Sequence, residues 1–184
     1  MSPLAIALFD LVSAPFLIAA GLLVVAGCAK VREPYGASRV FEALGIRVGL
    51  PVVRLLGVAE VALGIAAFVS GERLISVALA LTFGLLAAIS LWLLVGPADV
   101  PSCGCLGSLE TPPSVLHVLL SALGAAAAGL AALADPIRID TYLGSLPALG
   151  APFLVAVGSG IVAAALAMAY VPILATSYTG AQRG

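Results

Sequence analysis

Five stretches of this chain are each long and apolar enough to cross the hydrocarbon of a bilayer, and that pattern restricts the fold more than any other. They run over about residues 4–29, 50–69, 74–96, 114–134 and 148–175. The first is interrupted only by Asp10, and the second contains Arg54 and Glu60. The other three carry no Asp, Glu, Lys or Arg. Backbone polar groups inside lipid must be satisfied within the segment itself, which selects helices. The short stretches of alternating polarity that would make barrel strands are absent. Charged residues make up 9% of the chain, against about a quarter in a soluble domain. A soluble enzyme is thereby excluded, and so is a disordered chain, which needs low hydrophobicity. A net charge of −1 offers no basic face for nucleic acid. The expected architecture is an all-α transmembrane bundle, a single domain over residues 1–184 in a plasma membrane, with the lipid bilayer as its first partner.

The first stretch is too long for a signal-peptide core and lacks a basic leading region, so it reads as a retained span. Trp92, Tyr142 and Tyr170 stand near span ends, where aromatic belts form. The Ala/Gly-rich run 124–132 permits close helix packing.

The connections differ in kind. Residues 30–49 hold Lys30, Arg32, Glu33, Arg39, Glu42 and Arg47, while Val40, Phe41, Leu44 and Val48 recur at helical spacing. That pattern predicts a short amphipathic helix over about 36–48, lying at the membrane interface. Residues 70–73 are a tight turn, and 135–147 a plain polar loop. The third connection, 97–113, contains Cys103 and Cys105, separated by Gly104 and followed by Gly107.

Chemistry concentrates in that cysteine loop. Thr111 is placed to cap the next helix, with Pro112 in its first turn. The positive end of the helix dipole then lies near the thiols and favours thiolate, the nucleophile of disulfide exchange. His117, about a turn and a half into that helix, is a candidate proton acceptor. A Cys103–Cys105 disulfide requires Gly104 to turn the chain sharply, and such a strained bond is easily reduced. Inert residues in a glycine-rich turn are the bland alternative. Cys28 closes the first span on the same side; packing between helices is favoured for it over resolving a mixed disulfide. A zinc or copper(I) site from Cys28, Cys103, Cys105 and His117 weighs less, because closed zinc sites space their cysteines more widely.

Glu60 lies deep in the second span, where a carboxylate is expensive and faces the bundle interior. Gly57 and Gly64 share its helix face. Protonation, or pairing with Lys30 or Arg54, would relieve the cost. An interhelical structural bond is favoured over a quinone or proton site. Asp10 fits an interfacial position.

Four segments together resemble one family. Ala26-Gly-Cys-Ala-Lys30, Phe41-Glu-Ala-Leu-Gly45-Ile, Glu60-Val-Ala-Leu-Gly64 and Cys103-Gly-Cys105-Leu-Gly107 are similar to the MauE/DoxX group of redox-associated membrane proteins. Thr111-Pro-Pro-Ser with His117 resembles actinobacterial members. Leu106 stands where the family motif has Phe, and Cys28 is not part of the pattern. The resemblance covers about residues 15–135. It implies a four-helix core, to which the fifth span is an addition, and a role in thiol/disulfide handling. Relatives are associated with maturing the disulfide-rich small subunit of methylamine dehydrogenase beside a thioredoxin-like partner, or with thiosulfate:quinone oxidoreduction and oxidative-stress complexes. Cys103 and Cys105 carry over as catalytic candidates, and Lys30 and Glu60 more loosely as cofactor-binding ones.

The expected function is a thiol/disulfide protein that passes electrons between a thioredoxin-like or cysteine-rich client and a membrane acceptor, such as a quinone. A non-catalytic accessory subunit of a larger membrane complex is the alternative. The side of the cysteine loop has two opposed readings. Lys30, Arg32, Arg39, Arg47, Arg54 and Arg183 lie on its side against Arg73 and Arg138 on the other, which favours the cytoplasm. The layout is also similar to disulfide-forming quinone reductases of the DsbB and vitamin K epoxide reductase type, which favours the opposite face.

Overall fold

Every apolar stretch becomes a helix. A computed structural model of the chain describes residues 3–96, 112–133 and 150–181. Within them lie six helices: α1 Pro3–Arg32, α2 Tyr35–Ala43, α3 Leu50–Val69, α4 Arg73–Val95, α5 Val115–Leu133 and α6 Gly150–Ala181. All except α2 are long and apolar enough to span a membrane. Cys103, Cys105 and Thr111 lie outside the described residues, as do Arg138, Tyr142 and Arg183.

α1 is the central element, in contact with α2, α3, α5 and α6. Lipid chains are as apolar as leucine, so burial alone does not drive these helices together; close packing of small residues does. The α1–α3 seam shows how. A Cβ added at Gly27 would lie 2.5 Å from the Gly57 carbonyl oxygen, and one at Gly57 would lie 2.7 Å from that of Gly27. Gly64 repeats the approach against the Ala20 carbonyl oxygen at 2.7 Å. The two glycines that flank Glu60 in sequence thus bring α3 backbone-close to α1. At the α1–α6 crossing, Gly21 receives the Ile161 side chain and Gly160 receives Ile18.

The interior is completed by Phe16, Leu17 and Leu23 of α1, Leu79 and Phe83 of α4, Ala128 and Ala131 of α5, and Val157 of α6. Gly124 lies under the Phe83 ring, and Ala127, Ala128, Ala131 and Ala132 are buried, so the small-residue run of α5 is a packing face. Helix α4 pairs closely with α5, and α3 with α1, whereas α3 and α4 meet sparingly. Two tight helix pairs therefore stand beside each other with a gap between α3 and α4.

Three boundaries differ from expectation. Helix α2 stops at Ala43 instead of near 48, because Gly45 adopts φ +77°. The Gly45 N–H donates to the Glu42 carbonyl and the Ile46 N–H to that of Phe41, the Schellman arrangement that ends a helix. At its other end α5 starts at Val115, so Pro112 precedes the helix instead of occupying its first turn. The Ser114 carbonyl receives the N–H of His117 and of Val118, which places His117 within the first turn. The last helix runs to Ala181, past its apolar portion Gly150–Pro172. Trp92 and Tyr170 are both partly exposed near span ends, as belt residues are.

The glycine seam makes a direct prediction. Gly57→Val should lower the stability of the purified protein by about 1–3 kcal/mol through overpacking against backbone that cannot retreat. Gly84→Ala, at a helix position with open space around it, should be neutral or stabilising by about 0.5–1 kcal/mol. Thermal unfolding in one detergent, followed by circular dichroism, compares the two.

Candidate functional site

Lys30, in the last turn of α1, turns inward and meets Glu60 in the middle of α3. Its Nζ donates to both carboxylate oxygens, at 3.0 Å to Oε1 and 2.7 Å to Oε2. The residues are 4% and 5% exposed, so this is a buried ion pair. It exists because the Gly27–Gly57 contact draws the two helices close enough for a lysine stem to reach. Of the two cations open to Glu60 from sequence, Lys30 is the partner, and Arg54 points outward. Two opposite charges held together cancel, which removes most of the cost of burying either in a low-dielectric span.

The pair closes the inner end of a cavity of about 380 Å³ in the α3–α4 gap. Leu56, Ala59 and Leu63 of α3 form one wall, and Leu85, Leu86 and Ile89 of α4 the other. Ala37, Val40 and Phe41 of α2 form a lid, with Leu44 just beyond that helix. The amphipathic helix thus buries its apolar face over a cavity, with Ala37 and Val40 both buried. Thr82 and Ser90 add hydroxyls to the α4 wall. The Thr82 hydroxyl donates to the Ala78 carbonyl of its own helix at 2.9 Å. Leu85 is 62% exposed, so this wall continues onto the outer, lipid-facing surface of the bundle. Volume, apolar walls and a few convergent polar groups are the attributes of small-molecule sites.

Ser90 and Thr82 did not stand out in sequence reading. Ser90 is one of three hydroxyl side chains in α4, with Ser76 and Thr82, and it is 2% exposed, so only the fold separates it from the others as a cavity residue together with Thr82. No sequence signal could have revealed the cavity, since it arises from how two helix pairs fail to close.

His117 and Cys28 occupy separate places. His117 is 1% exposed, and its Nδ1 lies 2.8 Å from the Ser114 hydroxyl. Its Nε2 is buried without a hydrogen-bond partner among the described residues. A buried polar atom in that condition calls for a hydrogen-bonding partner. Cys28 is exposed, so the expectation that it packs between helices is corrected. It stands exposed at the edge of the α1–α3 seam, beside Val31 and Arg32 of α1 and Val58 and Val61 of α3, because Gly27 and Lys30 occupy the centre of that seam.

These features define a class: a multi-pass helical membrane protein with a lid-covered cavity that ends on a buried lysine–glutamate pair. The chain belongs to the MauE family, since the family model described as methylamine utilisation protein MauE matches residues 6–135. The match takes in α1 to α5 and the Cys103–Cys105 loop, and ends before α6. No curated protein and no solved structure matched the chain.

The ion pair yields a double-mutant test. Lys30→Met or Glu60→Leu alone leaves an uncompensated buried charge and should cost about 3–5 kcal/mol. Lys30→Met with Glu60→Leu should recover most of that loss, as read from thermal midpoints in detergent.

Proposed function

We propose that this protein is a MauE-type accessory protein of the membrane that handles disulfides during maturation of a cysteine-rich or thioredoxin-like partner. The family's description places relatives in methylamine utilisation, and the proposed client is a protein of that process. The observation that carries the reading is the Cys103-Gly-Cys105 pair, which falls inside the family-matched segment just ahead of α5. Supporting it, the first turn of α5 holds His117, whose buried Nε2 has no hydrogen-bond partner among the described residues.

The chemistry runs as thiol–disulfide exchange. A client thiolate attacks the Cys103–Cys105 disulfide to give a mixed disulfide and one free thiolate on the loop. The client's second thiol then displaces the loop sulfur, which leaves an oxidised client and a loop dithiol. Two electrons and two protons must next pass from that dithiol to a membrane acceptor as the disulfide closes again. His117 is the proposed proton acceptor for the thiols, and Cys28 a proposed resolving thiol of lesser weight because of its outward placement.

A second reading, a non-catalytic subunit of a larger membrane complex, is favoured by α6. That helix lies beyond the family match, and Leu154, Val155, Val162 and Leu166 leave one side of it exposed.

Maleimide labelling before and after reduction separates the two. Under oxidising conditions Cys103 and Cys105 should label only after a reductant is added, and Cys103→Ser should abolish disulfide formation in the client. Free thiols throughout, together with normal client maturation in Cys103→Ser, would leave the accessory reading. An impermeant maleimide applied to each face of the membrane assigns the side of the loop.

A further inference from the structure

The cavity between α3 and α4 has no part in the exchange chemistry above, yet it is built around a charge pair. We propose that it binds a lipid-soluble molecule with a neutral, carbonyl-bearing head, of the quinone class, with the head against Lys30 and Glu60.

Charge selects the head. Lys30 and Glu60 neutralise each other at 2.7 Å, so the end of the cavity has no net charge. A phosphate or carboxylate head would meet the Glu60 carboxylate, and an ammonium head would meet the Lys30 ammonium. A neutral head meets neither penalty. Lys30 carries three N–H donors and directs two of them at Glu60; the third has no partner among the described residues. A buried donor in that position favours an acceptor oxygen such as a ring carbonyl. The Glu60 carboxylate keeps lone pairs that can accept from a hydroxyl, so the quinol form also finds a partner.

Shape selects the rest of the molecule. The walls are leucine and isoleucine side chains on two neighbouring spans, and Leu85 carries the apolar wall out to the lipid-facing surface. The cavity of about 380 Å³ takes a ring and the start of its tail, and the remainder of the tail lies along α4 in the acyl chains. Entry is sideways from the bilayer, beneath the α2 lid.

In a membrane, such a ligand is a two-electron acceptor. Quinone takes two electrons and two protons to become quinol, and a dithiol that closes to a disulfide releases the same number. Its use as the acceptor for Cys103 and Cys105 rests on the function proposed above, whereas its binding does not.

Trp92, the chain's one tryptophan, lies about one turn beyond the cavity residue Ile89 on α4 and reports on the cavity through quenching. Decylubiquinone is titrated into the full-length protein in phosphatidylcholine nanodiscs. Saturable quenching is expected. The apparent Kd should rise at least tenfold in Lys30→Met/Glu60→Leu, which removes the head's partners, and in Ala59→Phe, which fills the cavity. Either variant that keeps its helicity by circular dichroism is sufficient. Quenching that never saturates, or that is unchanged in the folded variants, would overturn the proposal. So would displacement of the quinone by added phosphatidylglycerol, since an anionic lipid head would then be the occupant. Binding should persist in Cys103→Ser/Cys105→Ser, so loss of client oxidation there with quenching intact counts against the thiol function alone.

Discussion

The rest of this structure depends on one ion pair held inside the membrane. Lys30 and Glu60 lie on different spans, and neither is tolerable in lipid without the other. Their contact requires α1 and α3 to approach until the backbones nearly touch, which is why Gly27, Gly57 and Gly64 line that seam. The pair adds direction to packing forces that are otherwise non-specific between apolar helices. It fixes the rotation of α3, since Glu60 must face α1, and it fixes the register of the last turn of α1. The exposed placement of Cys28 follows from the same constraint, because Gly27 and Lys30 take the centre of the seam and leave Cys28 at its edge, beside Val58 and Val61 of α3.

A second consequence concerns what does not close. With α3 committed to α1 and α4 to α5, the α3–α4 boundary is left as a cavity, with α2 laid over it. A site of this origin combines a rigid polar end with walls that belong to two separate helix pairs. Small relative movements of the pairs would change its width without disturbing the ion pair. That combination suits a ligand that enters from the lipid and is held by its head.

Much of this was legible beforehand. Spans could be read from hydropathy because lipid allows so few ways of satisfying a backbone. The interior position of Glu60 followed from the cost of its charge, and the amphipathic helix from the spacing of Val40, Phe41 and Leu44. Other features were not legible. Val48 continues the helical spacing but lies outside α2, because the left-handed Gly45 ends the helix at Ala43. Cys28 read as a packed residue since a single apolar helix gives no sign of which side its neighbours take. His117 lies closer to the start of α5 than the Thr111-Pro112 signal implied, since Ser114 supplies the first helical carbonyl.

Sequence by itself determined the class of molecule: five apolar spans, a cysteine pair between two of them, and motifs of the MauE family. These are properties of chain chemistry and order, and they need no partner to be read. Tertiary structure alone decided that Lys30 and not Arg54 meets Glu60, that Cys28 faces outward, and that a cavity ends on the ion pair. Each of those depends on the distance and rotation between helices far apart in the chain. Close glycine contacts and one charge pair set them, and no periodicity within a single span records either.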